Sequence, residues 1–249
     1  MGGSITNPTT TDERLALVLG SASINTIDDV IGVMRELDGL LPDDDGLKWF
    51  NLLYLKVTEA VRDHSSAGNW EDPQWLGRLD VVFAGLYFNA VADWQRNAKE
   101  SARAWRPLLD CRRRNDVARI QFALAGMNAH INHDLAIAVV QTGEEKGIIP
   151  RRGSPQHKDF ERVNTLLEVV EEEARQFLVT GIIGELDNNL GRVDDIIAIW
   201  KIGKARDTAW TNAEILWQLQ SLPLLKDKFL QNLGRLVGLS SKGLLIRTR

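Results

Sequence analysis

The sequence predicts an all-α fold on three observations. Helix-capping residues recur along the chain, apolar residues repeat three and four apart between them, and no run alternates apolar and polar residues as a strand would. The 249 residues can bury a large core, and 44% hydrophobic with 26% charged residues is an ordinary globular balance. We expect a single large bundle-like domain of about eight or nine helices around a buried central helix. It would occupy residues 24–238, after a poorly ordered stretch or short helix over 1–23 and before a surface tail over 239–249.

Each element has its own punctuation. Thr26 with Asp28 and Asp29 caps a helix that stops near Asp38-Gly39, and the turn from Pro42 to Gly46 opens a longer one through Trp49, Leu53, Val57 and Ala60. Asp72-Pro73 supplies a cap and a first-turn proline for a helix to about Arg96, with Leu76, Leu79, Phe83, Leu86, Phe88 and Val91 inside it. A short amphipathic piece over Ala104 to Leu109 leads to a helix from about Asp116 to Lys146, ended by Gly147. Ser154-Pro155 starts the next, which extends to about Leu178. A short helix is expected between Gly181 and Gly191, a long one from Val193 to Leu219, and a last amphipathic one from Leu224 to Val237 after Pro223.

Composition removes several function classes. The formal net charge of -4 argues against a general nucleic-acid binder, and the run Arg112-Arg113-Arg114 is too short to reverse that. One cysteine, Cys111, rules out an internal disulfide and a Cys-rich zinc module and fits a reducing compartment. The first residues carry no basic patch followed by an apolar run, and no apolar stretch approaches the ~20 residues needed to span a bilayer. The expectation is therefore a cytoplasmic protein without membrane or nucleic-acid partners. A homodimer is compatible with a helical bundle of this size, although no seam is identifiable in the sequence.

Within the helix expected to be central, Gln121 to Leu135 set His130, His133, Asp134, Asn128 and Asn132 in an otherwise apolar run. Burying that much polarity costs several kcal/mol unless each group finds a partner. At about 100° per residue the polar groups fall into two stripes. His130, His133, Asp134 and Met127 share one side with the small residues Gly126 and Ala123, while Gln121, Asn128 and Asn132 lie opposite. The asparagine side suits backbone satisfaction, and the histidine side suits a site.

Two readings of the histidine side compete. In one, His130 and His133 hold a zinc or iron ion, with His157 as a further ligand and Asp134 as a ligand or as the group orienting a ligating ring. In the other, the side is a buried hydrogen-bond network, with His130 bonded to Asp134 one turn on. His-x-x-His-Asp is short and unselective, and the Glu-x-x-His pairs of ferritin-like di-iron bundles are absent.

Three other helices could contribute to the same pocket. His157 sits in the first turn of its helix, where the dipole favours neutral imidazole, although a surface histidine is an equal reading. Asp80, with Phe83, Ala84 and Tyr87 on its face, must be paired or neutral, and an arginine such as Arg119 or Arg206 could be its partner. Trp200, Gly203, Asp207, Trp210, Glu214 and Trp217 share one stripe. Three indoles and two carboxylates on one face fit either the wall of an apolar pocket or core filling with paired acids.

The strings FALAGMNAHINHD ending at Asp134, SPQHKD from Ser154 and AWTNAEILW from Ala209, with Asp80 and its apolar flanks, resemble an uncharacterised bacterial family, domain of unknown function 5995. The resemblance covers about Ile27 to Leu219 and leaves the segment after Pro223 outside. It implies that Asp80, Asn128, His130, Asn132, His133, Asp134, His157, Asp159, Trp210, Asn212 and Glu214 lie in signature stretches, and it implies no reaction.

The expected function is an enzyme whose central pocket uses zinc or iron on His130 and His133, with His157 or Glu214 as the further ligand. Asp134, Asp80, Glu214 and Asp207 would serve as proton-transfer or orienting groups. Tyr87, Met127, Trp210 and Trp217 would shape a cavity for a small hydrophobic substrate. Two alternatives stay open: a metal-free cyclase, isomerase or lyase with a His/Asp acid–base pair, and a ligand-binding or scaffold protein whose polar core fixes helix register.

Overall fold

Capping chemistry sets the helix ends in the computed structural model, which describes residues 10–65, 70–177 and 202–247. Thr10 and Thr26 each close a capping box, with Glu13 and Asp29 returning the bond, and so start α1 (Thr11–Ser21) and α2 (Ile27–Leu40). After the turn at Pro42 comes α3 (Gly46–Ser65). Asp72 accepts the Trp75 N–H at 3.0 Å, and Pro73 begins α4 (Pro73–Arg96). The short α5 (Arg106–Cys111) leads to α6 (Arg119–Ala129), a π-helical turn (His130–Asp134) and α7 (Leu135–Lys146), which run on as one rod. Gly147 ends that rod in the left-handed region at φ 67°, a conformation that favours glycine.

Ser154 accepts the His157 N–H at 3.1 Å and starts α8 (Pro155–Phe177). Two more helices, α9 (Ile202–Gln218) and α10 (Pro223–Leu244), complete the described chain. With α6, the π turn and α7 counted as one, nine helical rods and no strand occur among the described residues, so the protein is all-α. The helix expected between Gly181 and Gly191, the first turns of the one expected from Val193, and Trp200 lie outside the described residues.

The central rod organises the rest. Every residue of α6 from Ile120 to Ala129 is buried, as a helix hemmed in on all sides requires. It packs on α3 and α10, while α7 packs on α4 and α9 and the π turn touches α4, α9 and α10. Contact with α3 depends on Gly126, where an added Cβ would lie 2.3 Å from the buried Phe50 ring.

Asparagine and glutamine hold the opposite side. Asn128 donates to the Val237 carbonyl at 3.1 Å and to Ser241 Oγ at 2.9 Å, and Gln121 donates to the carbonyls of Leu244 and Ile246 at 2.7 and 3.1 Å. The surface tail expected from residue 239 is therefore corrected. Helix α10 continues to Leu244, and Ser241 and Leu245 are buried, because amide donors from α6 satisfy the carbonyls at its end. At the other end α1 is anchored by buried Leu15 and by Asp12, which pairs with the buried Arg112.

We expect Gly126→Val to lower unfolding free energy by about 1–3 kcal/mol, the usual cost of overpacking a filled core. A denaturant titration would read this as a fall in midpoint at unchanged slope.

Candidate functional site

The π turn gathers three donors on one carboxylate. Trp105 Nε1, just before α5, donates to Asp134 Oδ2 at 2.7 Å. His133 Nδ1 lies 2.7 Å from Oδ1, and His130 Nδ1 lies 3.3 Å from Oδ2. Burial alone would raise the Asp134 pKa, but the bonds from His130 and His133 outweigh it and hold the carboxyl below its ordinary value. Asp134 is thus an anion that can only accept, so both imidazoles carry their proton on Nδ1. His130 is kept neutral mainly by burial, against the opposing pull of Asp134. Its Nε2 is therefore a bare lone pair.

That lone pair is buried and has no hydrogen-bond partner among the described residues. His130 stacks on Phe83 at 3.5 Å between ring centres, 5° from parallel, and meets the Tyr54 ring edge-on at 4.4 Å. These rings fix its orientation in the wall of a cavity of about 60 Å³. Apolar side chains from α3, α4, α7, α8 and α9 form most of the lining, and Asp80, Arg206, Tyr54 and Thr58 provide its other polar groups.

Asp80 is half-buried and makes no hydrogen bond or ion pair among the described residues. Burial pushes its pKa up to about 7, with the Arg206 charge pulling the other way. Arg206 is buried too, and burial lowers its pKa to about 10 despite the Asp80 charge, so it remains a cation at neutral pH. Tyr54 is raised well above the ordinary phenol range, first by burial and then by Asp80.

The structure brings together only part of the predicted site. His130, Asp80 and Met127 line the cavity, with Asp134 directly behind His130. His133 does not, because its Nδ1 is turned to Asp134 and its Nε2 sits against α10, 3.3 Å from where a Gly234 Cβ would be. His157 is elsewhere, with Nδ1 accepting the Gly153 N–H at 3.2 Å and its ring 4.7 Å from that of Trp210. The three histidines expected to share an ion thus address separate surroundings. Among the described residues, no three His, Cys, Asp or Glu side chains converge where they could hold a metal ion.

The tryptophan stripe is also corrected. Trp210 is fully buried among Trp75, His157 and Phe160 rather than facing the cavity, and Trp217 packs beside Gly143. Asp207 and Glu214 are occupied by Arg152 from the loop before α8: Asp207 takes its Nη1 at 2.8 Å and Glu214 its backbone N–H at 3.0 Å. Tyr87 lies beneath the site, donating to Asn51 Oδ1 at 3.2 Å. Tyr54, Thr58 and Trp105 were not singled out in the sequence. The spacing of Tyr54, Val57, Thr58 and Val61 was the signal for an inward face of α3.

A helical bundle with a largely apolar cavity lined by an aspartate-backed imidazole, a second carboxyl and a buried arginine is the class of protein that fold and site define. The chain belongs to the family of unknown function DUF5995, whose model matches residues 27–247. The match includes α10, which the sequence resemblance had left outside. No curated protein and no solved structure matches the chain. No helix among the described residues is long and apolar enough to cross a membrane.

The raised Asp80 carboxyl has a signed consequence. A folded pKa of about 7 against the ordinary value of 3.8 means the native state binds this proton more tightly. Its stabilising effect is present at low pH and is lost as the pH rises from about 4 through about 7. Partial exposure reduces the maximum of about 4 kcal/mol. We expect Asp80→Asn to match the native protein near pH 4 and to exceed its stability by about 1–3 kcal/mol near pH 8 in paired thermal or denaturant melts. Trp105→Phe, which removes one donor to buried Asp134, should cost about 1–3 kcal/mol at neutral pH in the same measurement.

Proposed function

We propose that the protein is an enzyme that transfers protons to or from a small, largely hydrophobic molecule, with His130 as base, Asp134 as its supporting anion and Asp80 as the second acid–base group. The observation that carries this is the buried Nε2 of His130, unpartnered among the described residues, in a ring lining a cavity that also holds a carboxyl with a pKa of about 7. A base must present a free lone pair to its substrate and be stabilised once protonated. Asp134, behind Nδ1, provides that stabilisation for the imidazolium. An acid whose pKa lies near neutrality can give up or take back a proton at little cost in either direction. Largely apolar walls limit the water around these groups, which strengthens each of these electrostatic effects. This reading corresponds to isomerase, cyclase or lyase chemistry rather than to a centre held by three protein ligands.

Deuterium exchange tests it. Native protein incubated in D2O with small ketones and unsaturated or hydroxylated acids should incorporate deuterium at an activated carbon of one of them, followed by proton NMR. His130→Gln should lower that rate by at least about 100-fold, the usual weight of a general base, with unchanged circular dichroism. Undiminished exchange in His130→Gln sinks the reading. Stoichiometric zinc or iron in purified protein, lost in both His130→Ala and His133→Ala, would replace it with a metal-centred one.

A further inference from the structure

Among the described residues, the cavity holds a buried cation with no carboxylate in salt-bridge contact beside a carboxyl that makes no hydrogen bond. Arg206 enters from α9 and is 7% exposed. Its Nε donates to Asn164 Oδ1 at 2.6 Å, its Nη2 to the Phe160 carbonyl at 2.9 Å, and its guanidinium carbon lies 4.1 Å from the centre of the Phe160 ring. These partners are neutral, so they fix the group in place, and among the described residues the opposing charge acting on it is that of Asp80, which is not in salt-bridge contact. Nη1 makes no hydrogen bond among the described residues. Asp80, from α4 on the same cavity, forms no ion pair with Arg206.

We propose that this gap receives the head group of a small hydrophobic monocarboxylic acid, one oxygen accepting from Arg206 Nη1 and the other sharing a proton with Asp80; the proposal rests on the acid–base reading of the same cavity. A carboxylate neutralises the buried guanidinium, which an alcohol cannot do, and an ammonium is repelled by it. The hydrocarbon part lies against Val57, Leu76, Leu79, Leu135, Val163 and Leu167. His130 Nε2 remains free to act on the rest of the molecule.

Proton balance gives the inference its signature. The acid arrives ionised at neutral pH, and two neighbouring carboxylates cannot both keep a full charge in a buried site. Asp80 therefore draws its proton from solvent as the ligand enters, leaving Arg206 positive, the ligand negative and Asp80 neutral. Among the described residues lining the cavity, the titratable groups facing Asp80 are Arg206 from α9, Tyr54 from α3 and His130 from the π turn, and α8 contributes Val163 and Leu167 to this wall. Arg206 stays charged and Tyr54 and His130 stay neutral near neutral pH, so Asp80 is the group that changes.

Isothermal titration of the full chain near pH 8, repeated in phosphate and Tris to count protons, decides the matter, with hexanoate, hexanol and hexylamine as probes. Expected are hexanoate binding with uptake approaching one proton, and roughly tenfold or weaker binding of hexanol and hexylamine. Asp80→Asn should still bind hexanoate but take up no proton, and its binding should no longer weaken as the pH rises. Hexanol binding as tightly as hexanoate overturns the acid head group and leaves the His130 exchange result standing. Proton uptake that persists in Asp80→Asn overturns the placement at Asp80. If hexanoate fails to bind the folded native protein, the proposal falls, while deuterium exchange still reports separately on His130.

Discussion

The negative charge of Asp134 is the constraint on which the centre of the molecule depends. An isolated carboxylate at that depth would be untenable, and it persists because Trp105, His130 and His133 each aim an N–H at it. The three donors come from before α5 and from two places in one turn, so a single anion joins the short α5 region to the central rod. The same charge fixes both histidine tautomers, and through His130 it determines what the cavity presents. Structure and chemistry are linked here by one group, because the anion that orders the core also leaves a lone pair unbonded on a ring that lines the cavity.

The π turn makes this arrangement. In a regular α-helix His130 and Asp134 would meet across one turn while His133 pointed away at its own angle. Widening the turn over His130–Asp134 lets the carboxylate reach both rings. Locally altered helical turns of this kind often mark functional sites. In this protein the alteration falls on the stretch where the rod's buried ionisable groups, His130, His133 and Asp134, are gathered.

Much of the fold was legible because caps and breakers act locally. Thr26, Asp72, Pro73, Ser154 and Gly147 do in the structure what their side chains or backbone preferences dictate. The site was legible in part. The spacing of His130 and Asp134 announced their hydrogen bond, and Asp80 in an apolar run announced an unusual carboxyl. The direction of His133 was not legible, since a wheel with uniform angular steps cannot represent a π turn. The stripe of Trp210, Glu214 and Asp207 was misassigned for another reason. A helix face names no partner, and these acids meet Arg152 from a loop whose path the sequence does not reveal. Arg206 was in view only as one option for Asp80. That it approaches without an ion pair depends on Asn164 and the Phe160 carbonyl, two residues no periodicity could connect to it.

The clasp between the central rod and α10 bears on how the chain reaches this state. Gln121 and Asn128 find their acceptors between Val237 and Ile246, more than a hundred positions later. Until that stretch leaves the ribosome, the rod that ends up fully buried over Ile120–Ala129 carries amide groups without these acceptors and a flank open to water. Closure of such distant pairs is slow, and a nascent chain in that condition is prone to stick to others. Synthesis in the cell would therefore leave a vulnerable interval in which a holding chaperone has a defined target, the bare flank of α6.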